Sequence, residues 1–198
     1  MAKVIQFPIP NPEKFGFKPV RKKKPGTEPR HGQLHLFGGA KIINLNSLTP
    51  FDEALMLDEQ GDNRAAQQYQ KAIDAGDSIA DAYCNLGIIE SGKKQYTKAI
   101  DCFTKSLKAD PRHFEAHYNL ANVYAEVGNL PLAKIHYQIS IEIEPDFPNS
   151  YFNLGITLAM NKEIDAAIQS LLTYRNLAGD EDQSQAEELI ASLMRSLR

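Results

Sequence analysis

Asn85, Asn119 and Asn153 stand 34 residues apart, each followed by leucine and a small residue: Asn85-Leu86-Gly87, Asn119-Leu120-Ala121 and Asn153-Leu154-Gly155. A side-chain amide carries one acceptor oxygen and two donor hydrogens at fixed geometry. A peptide backbone offers one donor and one acceptor per residue. A column of amides therefore suits the backbone of an extended chain and is indifferent to its side chains. That is recognition chemistry, not catalysis. Two roles fit it: contact with a bound segment, and hydrogen bonds between neighbouring helices.

Other reactive residue types do not assemble into a site. His113-Phe114-Glu115-Ala116-His117 has the composition of a zinc-protease motif, but its glutamate falls one place too late for the general base. His113 falls in a turn and His117 in a packing column. His31 and His35 have no ligand-type partner nearby in the sequence. Cys84 is a reactive thiol only if exposed, and otherwise a small residue beside the asparagine column. There is no phosphate-binding glycine loop and no nucleophile-base set. Neither a metal, a cofactor nor an enzymatic activity is expected.

The elements that must position the amides follow from the same period. Ala65, Ala99, Ala133 and Ala167 share one column, and Tyr69, Phe103, Tyr137 and Leu171 another. A fixed period of this length specifies stacked helical hairpins. Thr49-Pro50 supplies an N-cap and a first-turn residue. Asp110-Pro111 and Glu144-Pro145 close two repeats, because proline cannot continue a helix. Asp77 closes the first repeat less typically. Its first helix, around 51–59, fits the grid poorly, as a slip of one or two residues would make it do. On the simple grid Phe51 falls in the asparagine column.

On one face stand Tyr83, Leu86, Gly87 and Glu90, then His117, Leu120, Ala121 and Tyr124, then Tyr151, Leu154, Gly155 and Leu158. These are i, i+3, i+4, i+7 sets, suited to face a partner helix. Gly87, Ala121 and Gly155 are small where two helices must approach. Glycine inside a helix costs about 1 kcal/mol relative to alanine. Its recurrence in one column argues that close packing offsets that cost.

In these columns the chain resembles the tetratricopeptide repeat family over residues 48–179. Departures are Glu90 where an aromatic is usual, Lys94 and Lys162 where glycine is usual, and the irregular first repeat. The resemblance implies an all-α, right-handed superhelical solenoid of antiparallel helix pairs. It also implies a concave groove that binds peptides, without enzymatic activity. The expected organisation is a basic, proline-rich and unstructured arm at 1–32 and a short amino-terminal β-hairpin at 33–47, turning at Gly38-Gly39. Four repeats follow at 48–77, 78–111, 112–145 and 146–179. A capping helix at 182–198 places Leu189, Ile190, Leu193, Met194 and Leu197 on one stripe.

At ~100° per residue, Asn85 projects opposite the packing face. Asp81 and Ile88 do so with it, then Glu115, Asn119 and Asn122, then Asn149, Asn153 and Ile156. Cys84, Tyr118 and Phe152 flank them. The expected peptide-binding set is Asn85, Ile88, Tyr118, Asn119, Asn122, Phe152, Asn153 and Ile156. Such asparagines are similar to those of O-GlcNAc transferase repeats, whose equivalents clasp substrate backbones; only that binding mode would transfer. A carboxylate clamp for an acidic chaperone tail is disfavoured, because the column offers no lysine while Asp81 and Glu115 repel anions. The expected ligand is a neutral or basic extended segment with apolar side chains.

Residues 1–48 carry nine Lys or Arg against two Asp or Glu, a net of +7; the remainder carries thirteen against twenty-three, a net of -10. The basic run Arg21, Lys22, Lys23 and Lys24 admits several roles: a solubilising tail, contact with nucleic acid or an acidic partner, a targeting signal, or occupation of the chain's own acidic groove. No apolar run approaches the roughly 18 residues of a membrane span. Two cysteines without ligand spacing point to a reducing compartment, and a cytoplasmic location is expected.

Overall fold

Each hairpin of the chain turns through a left-handed residue. Gly61, Lys94, Gly128 and Lys162 have φ of 67°, 58°, 79° and 64°. The structure is a computed structural model that describes Val20, residues 48–178 and residues 180–196. Among these residues there are nine helices and no strand: α1 Pro50–Glu59, α2 Ala65–Asp74, α3 Ile79–Gly92, α4 Tyr96–Ala109, α5 Phe114–Glu126, α6 Leu130–Ile143, α7 Pro148–Met160, α8 Ile164–Leu177 and α9 Asp180–Ser196. The β-hairpin expected at 33–47 and most of the expected arm lie outside the described residues.

The helix ends follow local chemistry. Thr49 and Asp52 form a reciprocal capping box, with Asp52 N–H donating to Thr49 Oγ1 and Thr49 N–H donating to the Asp52 carboxylate. Proline occupies the first turn of α1, α6 and α7. His113 caps α5 by accepting from Ala116 N–H. Asn129 caps α6 by accepting from Leu132 N–H.

Consecutive helices pack against each other along the whole chain, α1 on α2 through α8 on α9. In addition α3 touches α5 and α5 touches α7. First helices that meet across repeats lie on the shorter, inner side of a curved stack, so α3, α5 and α7 carry the concave surface. The fold is an all-α solenoid of antiparallel helix pairs.

Close approach occurs where the small residues recur. A Cβ added to Gly87 would lie 2.6 Å from the Phe103 ring, and one added to Gly155 would lie 2.7 Å from Leu171 Cγ. Serines absent from the sequence argument tie the layers. Ser106 donates to Ala80 O, Ser170 donates to Tyr151 O, and the Ser140 and Ser150 hydroxyls share a hydrogen bond of 2.9 Å.

Two expectations change in detail. The first hairpin slips by one residue: Gly61 turns it 33 positions before Lys94, whereas Lys94, Gly128 and Lys162 keep the period of 34. With that slip Phe51 leaves the asparagine column and joins the column of Cys84, Tyr118 and Phe152. Fully buried, it packs on Tyr69 at 5.8 Å between ring centroids. The terminal stripe also rotates. Helix α9 buries Ala186, Ile190 and Leu193, while Met194 is exposed and Leu197 lies outside the described residues.

Candidate peptide-binding groove

Asn85, Asn119, Asn122 and Asn153 are all buried, at 0%, 0%, 0% and 1% exposure. Helical periodicity pointed them away from the packing face, onto the inner surface of the stack. They do point away from it, and there they are covered. Tyr118, Phe152 and Ile156 are buried with them, and Ile88 is half-buried. The reason differs along the column.

At Asn85 the cover is a piece of chain far away in sequence. Val20 N–H donates to Asn85 Oδ1 at 2.9 Å, and Asn85 Nδ2 donates to Val20 O at 3.1 Å. The amide thus satisfies both backbone groups of one residue, as a neighbouring strand would. Asn85 Nδ2 also donates to the Tyr69 hydroxyl at 3.1 Å, and that hydroxyl donates to Asp58 Oδ2 at 3.0 Å. Because the phenolic O–H points at Asp58, Tyr69 presents a lone pair to Asn85. This fixes the amide with its NH2 towards Tyr69 and its oxygen towards Val20. Burial pushes the Asp58 carboxyl up from its ordinary value, opposed by the Tyr69 hydrogen bond. Burial and the neighbouring Asp58 charge push the Tyr69 phenol well up, so it stays a donor.

At Asn153 the cover is the preceding repeat. Its Nδ2 donates to Tyr118 Oη and to Asn122 Oδ1, each at 3.0 Å. Tyr137 Oη donates to the same Asn122 oxygen at 2.6 Å. These bonds tie α7 to α5 and α6, so the inter-repeat role considered for the column is present. Asn153 Oδ1, equivalent to the oxygen that receives Val20 N–H, is buried and has no hydrogen-bond partner. Between them, Asn119 Nδ2 donates to Cys84 Sγ at 3.6 Å. Phe103 stands where Tyr69 and Tyr137 stand in the flanking repeats and has no hydroxyl to offer.

The remaining candidates resolve into structure. The Cys84 thiol is fully buried, and burial pushes it far above its ordinary value, so it is not a nucleophile. His113 Nε2 meets Asp81 Oδ1 at 2.9 Å, and its Nδ1 lies 3.5 Å from Glu115. Nδ1 already accepts from Ala116 N–H, so the ring's hydrogen bond goes from Nε2–H to Asp81, and Glu115 is a neighbour of the ring without a hydrogen bond to it. His117 turns the other way, its Nδ1 2.9 Å from His136 Nδ1. No group of three metal-ligating side chains occurs among the described residues. Arg21, Lys22, Lys23 and Lys24 lie outside them. No helix among them is long and apolar enough to cross a membrane.

Sequence reasoning missed Val20, whose side chain is 5% exposed and belongs to the buried cluster of Cys84, Ala116, Leu120 and Val123. No repeat contains it, so no periodicity marks it. Its placement between a proline and a basic run was the only local hint.

Helix pairs, small-residue contacts and a concave amide column define a protein of the helical-repeat solenoid class. The comparisons make the class specific. Residues 80–113, 102–134 and 136–169 match family models for the tetratricopeptide repeat. The chain carries tetratricopeptide repeats. It is 34% identical over 106 residues to human Protein O-mannosyl-transferase TMTC3, a match covering 52% of this chain and 12% of that protein. The chain spans about a tenth of the length of the curated relatives it matches first. Among solved structures, the MamA RS-1 ArsTM double mutant superposes with a TM-score of 0.59 at 18% identity, covering 74% of this chain and 93% of that one. The first TPR of Spaghetti (RPAP3), bound to the HSP90 peptide SRMEEVD, gives 0.56 at 19% identity, covering 60% and 92%. At such identities the likeness is one of fold.

Proposed function

We propose that this protein is a non-enzymatic interaction scaffold whose concave groove grips an extended peptide by its backbone through Asn85, Asn119 and Asn153. One observation carries the reading: Asn85 holds both the N–H and the C=O of Val20. Each such bond contributes on the order of 1 kcal/mol net, and an unpaired buried amide costs more than that. The free acceptor at Asn153 supports half of this grip two repeats further on: it can take a ligand N–H, while both amide hydrogens are held by Tyr118 and Asn122. Cys84, Ile88, Tyr118, Phe152 and Ile156 supply apolar contact for the ligand's side chains.

The RPAP3 repeat was solved with an acidic peptide, but the inner column here favours another ligand. Asp81 and Glu115 stand on it beside His113, and the repeats carry the net negative charge. The partner is a neutral or basic segment with aliphatic side chains.

Selection of unstructured peptides from a display library by the full chain tests this. Selected peptides are expected to lose at least ~10-fold in affinity for an Asn85→Ala/Asn119→Ala/Asn153→Ala chain that keeps its helical circular dichroism. Equal affinity for that folded variant would overturn the reading.

A further inference from the structure

We infer that the segment carrying Val20 is the groove's own resident ligand, held in cis at Asn85, and that a partner segment must displace it. The inference rests on reading the asparagine column as a backbone-binding site and adds how that site is regulated.

Val20 and Asn85 are 65 positions apart, and the contact between them has the form of recognition. Both backbone groups of Val20 go to one amide. The β-branched side chain is buried in the cluster of Cys84, Ala116, Leu120 and Val123, with Ile88 half-buried against it. The receiving amide is oriented in advance by Tyr69 and Asp58, which lie in the first repeat and do not touch Val20's own hydrogen bonds. A backbone grip that ignores side-chain identity accepts any extended segment with a small aliphatic residue at this point. Whatever binds there in trans needs the atoms that Val20 now occupies.

Reach favours the same chain as the source. Twenty-nine residues separate Val20 from Pro50, the start of α1. Extended, they span up to roughly 95 Å at ~3.3 Å per residue. A tethered competitor acts at a local concentration that a dilute partner must exceed, so occupancy in cis lowers the apparent affinity for any partner. Charge acts in the same direction: Arg21 to Lys24 directly follow Val20, and the repeats are acidic.

The test uses the full chain and a fluorescent synthetic peptide of residues 16–24 as probe. The Val20→Asp chain is expected to bind the probe at least ~10-fold more tightly than wild type, and adding Asn85→Ala is expected to abolish that gain. Val20→Pro, which lacks the donor N–H and keeps an apolar side chain, is the companion variant should Val20→Asp fail to fold. Equal, Asn85-dependent binding to wild type and variants overturns occupancy in cis and leaves the groove reading intact. Binding that ignores Asn85, or none at all to the vacated groove, overturns both. Amide exchange provides the direct measure. The Val20 N–H in wild type is expected to exchange at least ~100-fold more slowly than in Asn85→Ala. Protection that disappears on ~10-fold dilution assigns the ligand to a second copy and overturns the proposal.

Discussion

Asn85 donates a hydrogen bond to the Tyr69 hydroxyl, which donates its own hydrogen bond to Asp58. The first repeat thereby sets the orientation of an amide in the second. A buried amide has two nearly isosteric orientations, and a neighbour of fixed polarity decides between them. Tyr69→Phe removes that neighbour. It is expected to destabilise the chain by about 1–2 kcal/mol, since both Asp58 and Asn85 lose a partner. Urea unfolding measures the loss. The Val20 amide should lose its exchange protection at the same time, while the Asn153 network, two repeats away, should be unaffected.

The column of small residues makes a steric prediction. Alanine at position 87 or 155 gains about 1 kcal/mol in helix propensity. Against that, its Cβ would sit 2.6 Å from the buried Phe103 ring or 2.7 Å from Leu171. Overpacking of a filled core costs typically 1–3 kcal/mol. Gly87→Ala and Gly155→Ala are therefore expected to be destabilising by up to about 2 kcal/mol each. An increase in thermal midpoint for either would contradict the packing described.

The turns point the other way. Lys94 and Lys162 hold φ of 58° and 64° where the equivalent Gly128 holds 79°. A left-handed backbone costs an L-residue about 1–2 kcal/mol, and glycine returns part of that advantage as unfolded-state entropy. Lys94→Gly and Lys162→Gly should each stabilise by about 0.5–1 kcal/mol, and Gly128→Ala should destabilise by a similar amount. Denaturant midpoints measured at a common slope decide it.

Buried His117 and half-buried His136 predict a pH dependence. Pro111 O can only accept, so His117 Nε2, 3.2 Å away, carries the proton. His117 Nδ1 is then the acceptor, and His136 Nδ1–H donates to it. Tyr124 stacks on the His136 ring at 5.6 Å. Burial lowers both imidazoles below their ordinary value; that of His136 falls to about 4, with the His117 charge adding to the effect. Folding holds these rings neutral while the unfolded chain protonates them near 6.5. Their contribution is thus complete above about pH 6.5 and is lost as pH falls towards 4. After allowance for solvent screening the loss is on the order of 2 kcal/mol. His136→Phe should flatten this part of the stability profile; an unchanged slope would show that the pair does not titrate as described.

Much of the fold was legible because it is periodic. The alanine and aromatic columns named the helix faces, and the glycine column named where helices meet. The first repeat was harder. Its α2 keeps the grid at Ala65, but its turn comes one residue late, and only Gly61 marks the change. Serines such as Ser106 and Ser140 tie helices through single hydrogen bonds, which leave no hydropathy pattern. The asparagine column was visible as a column. Its surroundings were not, because helical phase fixes a direction and does not name what lies there.

Sequence alone determined the repeat, its helix pairs, their small-residue contacts and the inward direction of three asparagines. All of these follow from residues a few positions or one period apart, where local geometry decides. Tertiary structure decided which atom each amide addresses: Asn153 to Tyr118 and Asn122, Asn119 to Cys84, and Asn85 to Val20. Val20 belongs to no repeat and meets Asn85 across 65 positions. No period connects them, so only the folded chain, with the groove assembled and its amides held in one orientation, could bring them together.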